Sequence, residues 1–425
     1  MPKFKLNDQF LFGTATSSVQ IEGGDKNNTW YKWCETGHIT DSSSCMAACD
    51  HWNRVMEDTL ILKNLNVQTH RISLEWSRIE PSPGQFSKES LQHYRNEIQL
   101  LLDNQIKPLV TLHHFSEPLW FQEKGGWLKS ESVDYFIQYA RYVVENLGDL
   151  VCEWVTFNEP NVYTWFGYVI GSFPPGIISI IDALQVTTEI IKTHAILYTM
   201  IHRIRKEKNF LGKTAVGSAV HIRVFDGLTF AGKKTAQAVD YCFHELFMEG
   251  ITTGKIKFPL PKNRYPLKKG RYVDFVGINY YTRNIVEFAL DPKNFFHKFI
   301  PDKDLNKSDL GWDIYPEGIY RICKKYYERY HLPIYITENG ISDRYDNRRP
   351  DFIINHLSFI SEAIENGIKV ERYYHWSVMD NFEWLEGESA KFGLYECDFS
   401  TQKRTPRHSA QIYAEICKNK AYSTV

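Results

Sequence analysis

No stretch of this 425-residue sequence holds about 18 uninterrupted apolar residues, so nothing in it reads as a membrane-spanning helix. The amino-terminal "MPKFKLNDQF" lacks the apolar core of a secretory signal. An excess of one charge is missing too: 50 Lys and Arg face 51 Asp and Glu, and no basic run breaks the balance. That removes any bulk attraction to nucleic acid or anionic lipid. There is also no low-complexity tract, no Pro- and Ser-rich linker and no fixed-period repeat to mark a domain boundary. These absences predict a soluble, cytoplasmic protein built as one domain over residues 1–425, with neither nucleic acid nor membrane as partner. Association into a homo-oligomer stays open.

Cysteine is sparse and scattered, with eight residues over the chain and no framework spacing. The expectation is free thiols in a reducing compartment. "CMAACDHW" brings Cys45, Cys49 and His51 close together. Structural zinc takes four ligands, usually from paired elements, and no second pair follows, so no metal is expected there.

Against these absences stands a recurring pattern. Strand-like runs occur at "FLFGTAT", "VQTHRIS", "KPLVTLHH", "CEWVTFN", "TAVGSAV", "VDFVGINYY", "LPIYITE" and "VERYYHWSV". Segments with helical spacing lie between them. Leu91, Tyr94, Ile98, Leu101 and Leu102 share one helical face, and 131–147, 184–206, 316–329 and 352–366 read the same way. Eight strands, each followed by a helix, predict an α/β fold: a single (β/α)₈ barrel with its active site at the carboxyl ends of the strands.

Those carboxyl ends carry chemistry. The first strand leads to Gln20 and Glu22, the third ends in His113-His114 and the fourth in Asn158-Glu159. The sixth ends in Asn279-Tyr280-Tyr281, the seventh in Glu338, and the eighth at Trp376 before Asp380, Glu383 and Trp384. Alone, Glu338 reads as a solvated acid beside an Asn339-Gly340 turn, since both turn residues tolerate positive φ. Glu159 precedes Pro160, which predicts extended backbone at the strand end. Strands four and seven lie nearly opposite in an eight-stranded barrel, so their two carboxyls face one pocket. Two carboxyls flanking a cavity are the minimum for glycoside hydrolysis. Trp312, Trp376 and Trp384, in loops or at strand ends, offer faces on which a sugar ring can stack.

"TFNEP" at 156–160 and "ITENG" at 336–340 resemble the two signatures of the retaining β-glycosidases of glycoside hydrolase family 1. "FGTATSSVQIEGG", "RISLEWSRIEP", "VTLHHF", "GINYYT", "GWDIYPEG", "WSVMDNFEW" and "KFGLYECDF" follow that family's order over nearly the whole chain. The resemblance implies Glu338 as nucleophile and Glu159 as acid, then base. It implies Arg71 and Tyr281 as the groups that hold Glu338 ionised, Asn279 as a support of the carboxylate pair, and Asn158 as partner of the 2-hydroxyl. Gln20, His114, Glu383 and Trp384 would bind other hydroxyls, with Trp376 as the subsite floor. The implied substrates are small β-glycosides or oligosaccharides, and no cofactor or metal is needed.

The physics of such a pair sets further expectations. The acid must keep its proton near neutrality through burial and the charge of Glu338, and must release it once that charge is lost. Retention places the carboxyls roughly 5–5.5 Å apart. Departures from the family pattern are Ser116-Glu117 after the His pair and Leu385 after Trp384. A 6-phospho-β-glycosidase is one alternative, which Glu383 opposes, although Lys391 lies beside the position that a phosphate-binding Lys takes in that pattern. A sugar-binding barrel without activity and a metal-dependent hydrolase using His113, His114, His194 and Asp380 are others.

Overall fold

The computed structural model describes residues 2–129, 131–261, 267–291 and 294–423. Eight parallel strands close into a barrel. We number them β1 (Leu11–Ala15), β2 (Thr69–Ser73), β3 (Lys107–His113), β4 (Glu153–Asn158), β5 (Ala215–His221), β6 (Val276–Asn279), β7 (Ile334–Asn339) and β8 (Val370–His375). β8 pairs with β1 and shuts the ring. All eight expected strands are present, as the reading of one (β/α)₈ barrel required.

Helices cover the outside: α1 (His51–Asn64), α2 (Lys88–Asp103), α3 (Glu131–Leu147) and α4 (Ile180–Glu207). Next comes α5 (Phe230–Asp240), which runs through a π-turn at Tyr241–Glu245 into α6 (Leu246–Thr253). α7 (Glu317–Tyr330), α8 (Arg349–Glu365) and α9 (His408–Asn419) complete the α-helices of eight or more residues among the described residues. α2 shows how the sequence specifies an element. Ser87 caps its first turn by accepting from the Ser90 amide, and Leu91, Tyr94, Ile98 and Leu101 are buried on one face. Among the described residues no helix is long and apolar enough to cross a membrane.

The core has two layers because each strand presents alternate residues to opposite faces. On β3, Val110 and Leu112 join the large outer core under the helices, whereas Leu109 joins the barrel interior with Ala15, Val155, Ala219, Tyr335 and Tyr374. Near the carboxyl ends the ladder slips. Register shifts fall between Val155 and Asn158 on β4 and between Ile336 and Asn339 on β7. Irregularities of this kind re-aim side chains, and here Asn158 and Glu338 turn into the barrel mouth. A small three-stranded sheet of Val224–Asp226, Arg283–Phe288 and His297–Ile300 stands beside that mouth.

Candidate active site

The mouth of the barrel holds a cavity of about 240 Å³, whose lining includes Glu159, Glu338, His114, Asn158, Tyr281, Trp312, Trp376, Glu383 and Trp384. Strands β3, β4 and β7, with the loops after β6 and β8, thus deliver nine of the expected residues to one place. Arg71, Asn279 and Gln20 sit just behind the lining and bind to it. A larger cavity of about 810 Å³ adjoins through Phe166 and Arg223, but no carboxylate is among its described lining residues.

Glu338 is held from two sides. Arg71 Nη1 donates to Oε1 at 2.5 Å, and the Tyr281 hydroxyl donates to Oε2 at 2.7 Å. Arg71 is fully buried, and its Nε is tied to Thr111 Oγ1 at 3.0 Å, so the guanidinium cannot swing away. Its Nη2 donates to Asn158 Oδ1 at 2.7 Å, and Asn279 Nδ2 donates to the same oxygen at 3.0 Å. With that oxygen filled, the Asn158 amide nitrogen donates to His114 Nε2 at 2.8 Å. Its second N–H remains for a ligand. Because Nε2 accepts, the His114 proton lies on Nδ1, 2.7 Å from Ser73 Oγ. Burial and the Arg71 charge keep this ring neutral.

Glu159 has gentler neighbours. Its Oε1 accepts from Asn279 Nδ2 at 2.9 Å and lies 3.1 Å from His221 Nδ1. Thr337 fixes Asn279 by donating to its Oδ1 at 2.6 Å. Extended backbone before Pro160 was expected at Glu159; the structure instead places it in the left-handed region, at φ +40° and ψ +53°. The reason is geometric. The chain must turn from β4 straight into the short helix Pro160–Thr164, and the Glu159 amide is pinned to the Ala219 carbonyl at 2.6 Å. Such backbone is uncommon in a non-glycine residue and persists only where surroundings impose it.

The Asn339-Gly340 reading also needs correction. Neither residue takes positive φ. Asn339 closes β7 with its side chain buried between the Tyr280 carbonyl (2.7 Å) and the Tyr373 hydroxyl (2.9 Å). Gly340 is there for space, since a Cβ would meet the Trp376 carbonyl oxygen at 1.8 Å.

The electrostatics of the carboxyls follow from their burial. Glu338 is pushed up to about 7 by burial, opposed by Arg71 and then raised further by the charge of Glu159. Burial raises Glu159 too. Against that stand positive charge on His221, the bonds from His221 and Asn279, and Arg71, which hold Glu159 below the usual carboxylate range. The pair is thus ordered opposite to the raised acid and ionised nucleophile expected from the sequence. Glu383 is pushed up to about 8 by burial and by the other two carboxyls. It receives Gln20 Nε2 at 3.3 Å and Trp376 Nε1 at 3.4 Å.

The residues of the metal-hydrolase alternative are dispersed. His113 binds Glu117 at 2.7 Å, His194 binds Thr156 and the Tyr272 carbonyl, and Asp380 binds Arg407. Cys49 donates to the Asp380 carbonyl, and His51 lies between Asp58 and Glu97. Among the described residues no group of three or more His, Cys, Asp or Glu could hold a metal ion.

His221 and Arg223 line the cavity and were absent from the sequence reading. The quoted run "TAVGSAV" stops at Val220, one residue before the end of β5. Extending the strand by one residue would have put His221 among the strand-end polar groups.

Comparison with known proteins places this site in context. The model of the family described as glycosyl hydrolase family 1 matches residues 3–422. Beta-glucosidase A of Thermotoga maritima is 34% identical, with 98% of each chain covered. A beta-galactosidase of Pyrococcus woesei is 30% identical over 97% of each. Among solved structures, a beta-glycosidase from Pyrococcus horikoshii superposes with a TM-score of 0.92 at 39% identity, covering 100% of this chain and 97% of that one. The beta-glucosidase from Thermotoga maritima in complex with deoxynojirimycin gives 0.90 at 33% identity, covering 99% and 100%.

Proposed function

Because the chain belongs to glycosyl hydrolase family 1, we propose that it removes terminal, non-reducing β-D-glucosyl residues with retention, and accepts β-galactosides and β-fucosides as side substrates. The observation that carries this reading is the pairing of Glu338, gripped by Arg71 and Tyr281, with Glu159 on the same small cavity.

The proposed reaction is a double displacement. Glu338 attacks the anomeric carbon while Glu159 protonates the departing oxygen, leaving a covalent glycosyl-enzyme. Esterified Glu338 no longer carries charge, so Glu159 loses a repulsive neighbour and accepts a proton from water as that water attacks. The sugar leaves with its β configuration, and both carboxyls return to their starting state. Asn158 offers its free N–H to the 2-hydroxyl. Glu383 and Gln20 meet hydroxyls at the far side of the ring, above Trp376. Trp312, Phe166, Phe173 and Leu385 line the outer cavity and suit an apolar leaving group. No cofactor enters this scheme, and all 425 residues serve one catalytic domain. Eight free thiols support a reducing, cytoplasmic setting.

The 6-phospho-β-glycosidase reading has little support. Glu383 lines the cavity and offers a phosphate no positive charge, whereas the Lys391 ammonium packs over the Phe399 ring. The test is a set of initial rates on nitrophenyl β-glucoside, galactoside, fucoside, mannoside and 6-phosphoglucoside. It is paired with Glu338→Gly in azide. Expected are glucoside preference, a loss of several orders of magnitude in the variant, and partial rescue as the α-glycosyl azide, because azide attacks from the face that Glu338 occupied. Activity confined to the phosphorylated substrate would refute the substrate assignment. No turnover across the panel by the folded wild-type protein would favour a barrel that only binds sugars.

A further inference from the structure

A guanidinium stands behind the imidazole that touches Glu159. His221 Nε2 lies 3.1 Å from Arg223 Nε and 2.9 Å from Arg223 Nη2. A guanidinium has donors only, so Nε2 must accept and the ring proton must sit on Nδ1, aimed at Glu159 Oε1. A doubly protonated ring would set N–H against N–H beside a positive charge. The arrangement is braced. Arg223 Nη1 donates to Asn284 Oδ1 at 3.0 Å, and the Arg223 amide donates to His244 Nε2 at 3.3 Å. Tyr281 stacks parallel to the imidazole, with centroids 5.8 Å apart.

The charge on this ring decides where a proton goes. Glu159 and Glu338 share a buried cavity, so ionising one disfavours ionising the other. A charged His221 would form an ion pair with Glu159, keep that carboxylate ionised and drive the proton to Glu338. The site would then have neither an acid nor a nucleophile. With the ring neutral, the positive charge closest to the pair is Arg71, which is bonded to Glu338. Glu159 then has only neutral donors, both on Oε1, so its proton belongs on Oε2. Burial and the Arg223 charge do hold His221 below its ordinary range, against the pull of Glu159. The other titratable or charged groups around Glu159 and His221 are Arg71 on β2, Tyr281 after β6, Glu338 on β7, Glu383 after β8, and His244 in the π-turn, itself bonded to Asp240.

We propose that Arg223 is a positioning residue for the acid–base step: by filling Nε2 of His221 it fixes the neutral Nδ1–H tautomer, and so keeps the shared proton on Oε2 of Glu159 and off Glu338. The proposal rests on the reading of Glu159 as the acid, and its test separates the two. Arg223→Met and Arg223→Lys are compared with wild type over pH 5–9 on two substrates. One is cellobiose, whose leaving group needs a proton; the other is 2,4-dinitrophenyl β-glucoside, whose leaving group does not. In Arg223→Met the alkaline limb of kcat/KM on cellobiose is expected to fall by about one pH unit, which is about tenfold in rate on that limb. The loss on the dinitrophenyl substrate should be much smaller, and Arg223→Lys should recover most of the limb. Unmoved limbs, or equal losses on both substrates at every pH, would overturn the proposal. Nitrogen NMR of the wild-type imidazoles, with His221 assigned by His221→Asn, needs no folded Arg223 variant. An Nε2–H or charged ring at pH 7 would also overturn it. Glu159→Ala tests the underlying reading by itself: equal losses on the two substrates there would remove Glu159 as the acid.

Discussion

Tyr281→Phe removes a single oxygen from the site, and its effect can be worked out from the contacts. The lost O–H donates to Glu338 Oε2 at 2.7 Å, while Arg71 stays on Oε1. The phenyl ring keeps its stacking on His221 and its edge contacts with Trp312 and Phe392. A hydrogen bond to a charged group contributes about 1.5–3 kcal/mol, and one pKa unit corresponds to about 1.4 kcal/mol, so Glu338 should rise by about 1–2 units. It starts near 7, pushed there by burial with Arg71 and Tyr281 resisting. In the variant it should titrate at roughly 8–9. The nucleophile must be ionised, so the acidic limb of kcat/KM moves up by the same amount. At pH 6 the rate should fall by roughly 10–100-fold, and the deficit should shrink as pH passes 9. The assay is kcat/KM for 2,4-dinitrophenyl β-glucoside over pH 5–10, because that leaving group hides the titration of Glu159. An acidic limb that stays in place or moves down would refute the reasoning, provided circular dichroism shows an intact fold.

Three further outcomes follow from packing and burial. Gly340→Ala places a Cβ 1.8 Å from the Trp376 carbonyl, which is backbone and cannot rotate aside. We expect a loss of about 1–3 kcal/mol in urea unfolding, together with reduced kcat, and unchanged values would show that the loop yields freely. Glu75 is buried and raised to about 7 by burial and by Asp25, with Ser77 opposing. Its native pKa exceeds the unfolded 4.5, so the fold loses stability as pH rises from about 4.5 to 7 and bears the full penalty above. Glu75→Gln should therefore stabilise by up to about 3 kcal/mol at pH 8 and by little at pH 4, and a urea midpoint lowered at both would contradict this. Arg407→Met strips Asp380 of donors at 2.9 and 2.7 Å and leaves a fully buried carboxylate without its cation. About 3–5 kcal/mol of stability should go, with a raised KM as the Glu383 loop loosens; a midpoint within 1 kcal/mol of wild type would refute it.

The sequence made some parts of this molecule plain and hid others, for physical reasons. Strand ends were legible because a barrel puts the end of every buried strand at one mouth, so Glu159, Glu338 and His114 could be collected without a structure. Helices α2 and α3 were legible from their single apolar faces. The stretch from Phe230 to Thr253 was not, because the π-turn at Tyr241–Glu245 inserts into the 3.6-residue period and rotates the face. The three-stranded sheet beside the mouth joins Val224–Asp226 to Arg283–Phe288, a pairing that local pattern cannot reveal. The left-handed backbone at Glu159 was also out of reach, since it is imposed by the Ala219 carbonyl on the neighbouring strand. Arg71 came only through the family resemblance: a lone Arg inside "VQTHRIS" gives no sign that it crosses the barrel to Glu338.

The seam between β8 and β1 has a consequence for how the chain is made. Residues Leu11–Ala15 leave the ribosome long before one of their two neighbours, Val370–His375. At 5–20 residues per second the interval is roughly 20–70 s. Throughout it the first strand of the ring has a bare edge, open to any other extended chain. The growing barrel therefore depends on being kept apart from its siblings until the eighth strand arrives, and crowding of ribosomes on one message is the condition under which it is most exposed.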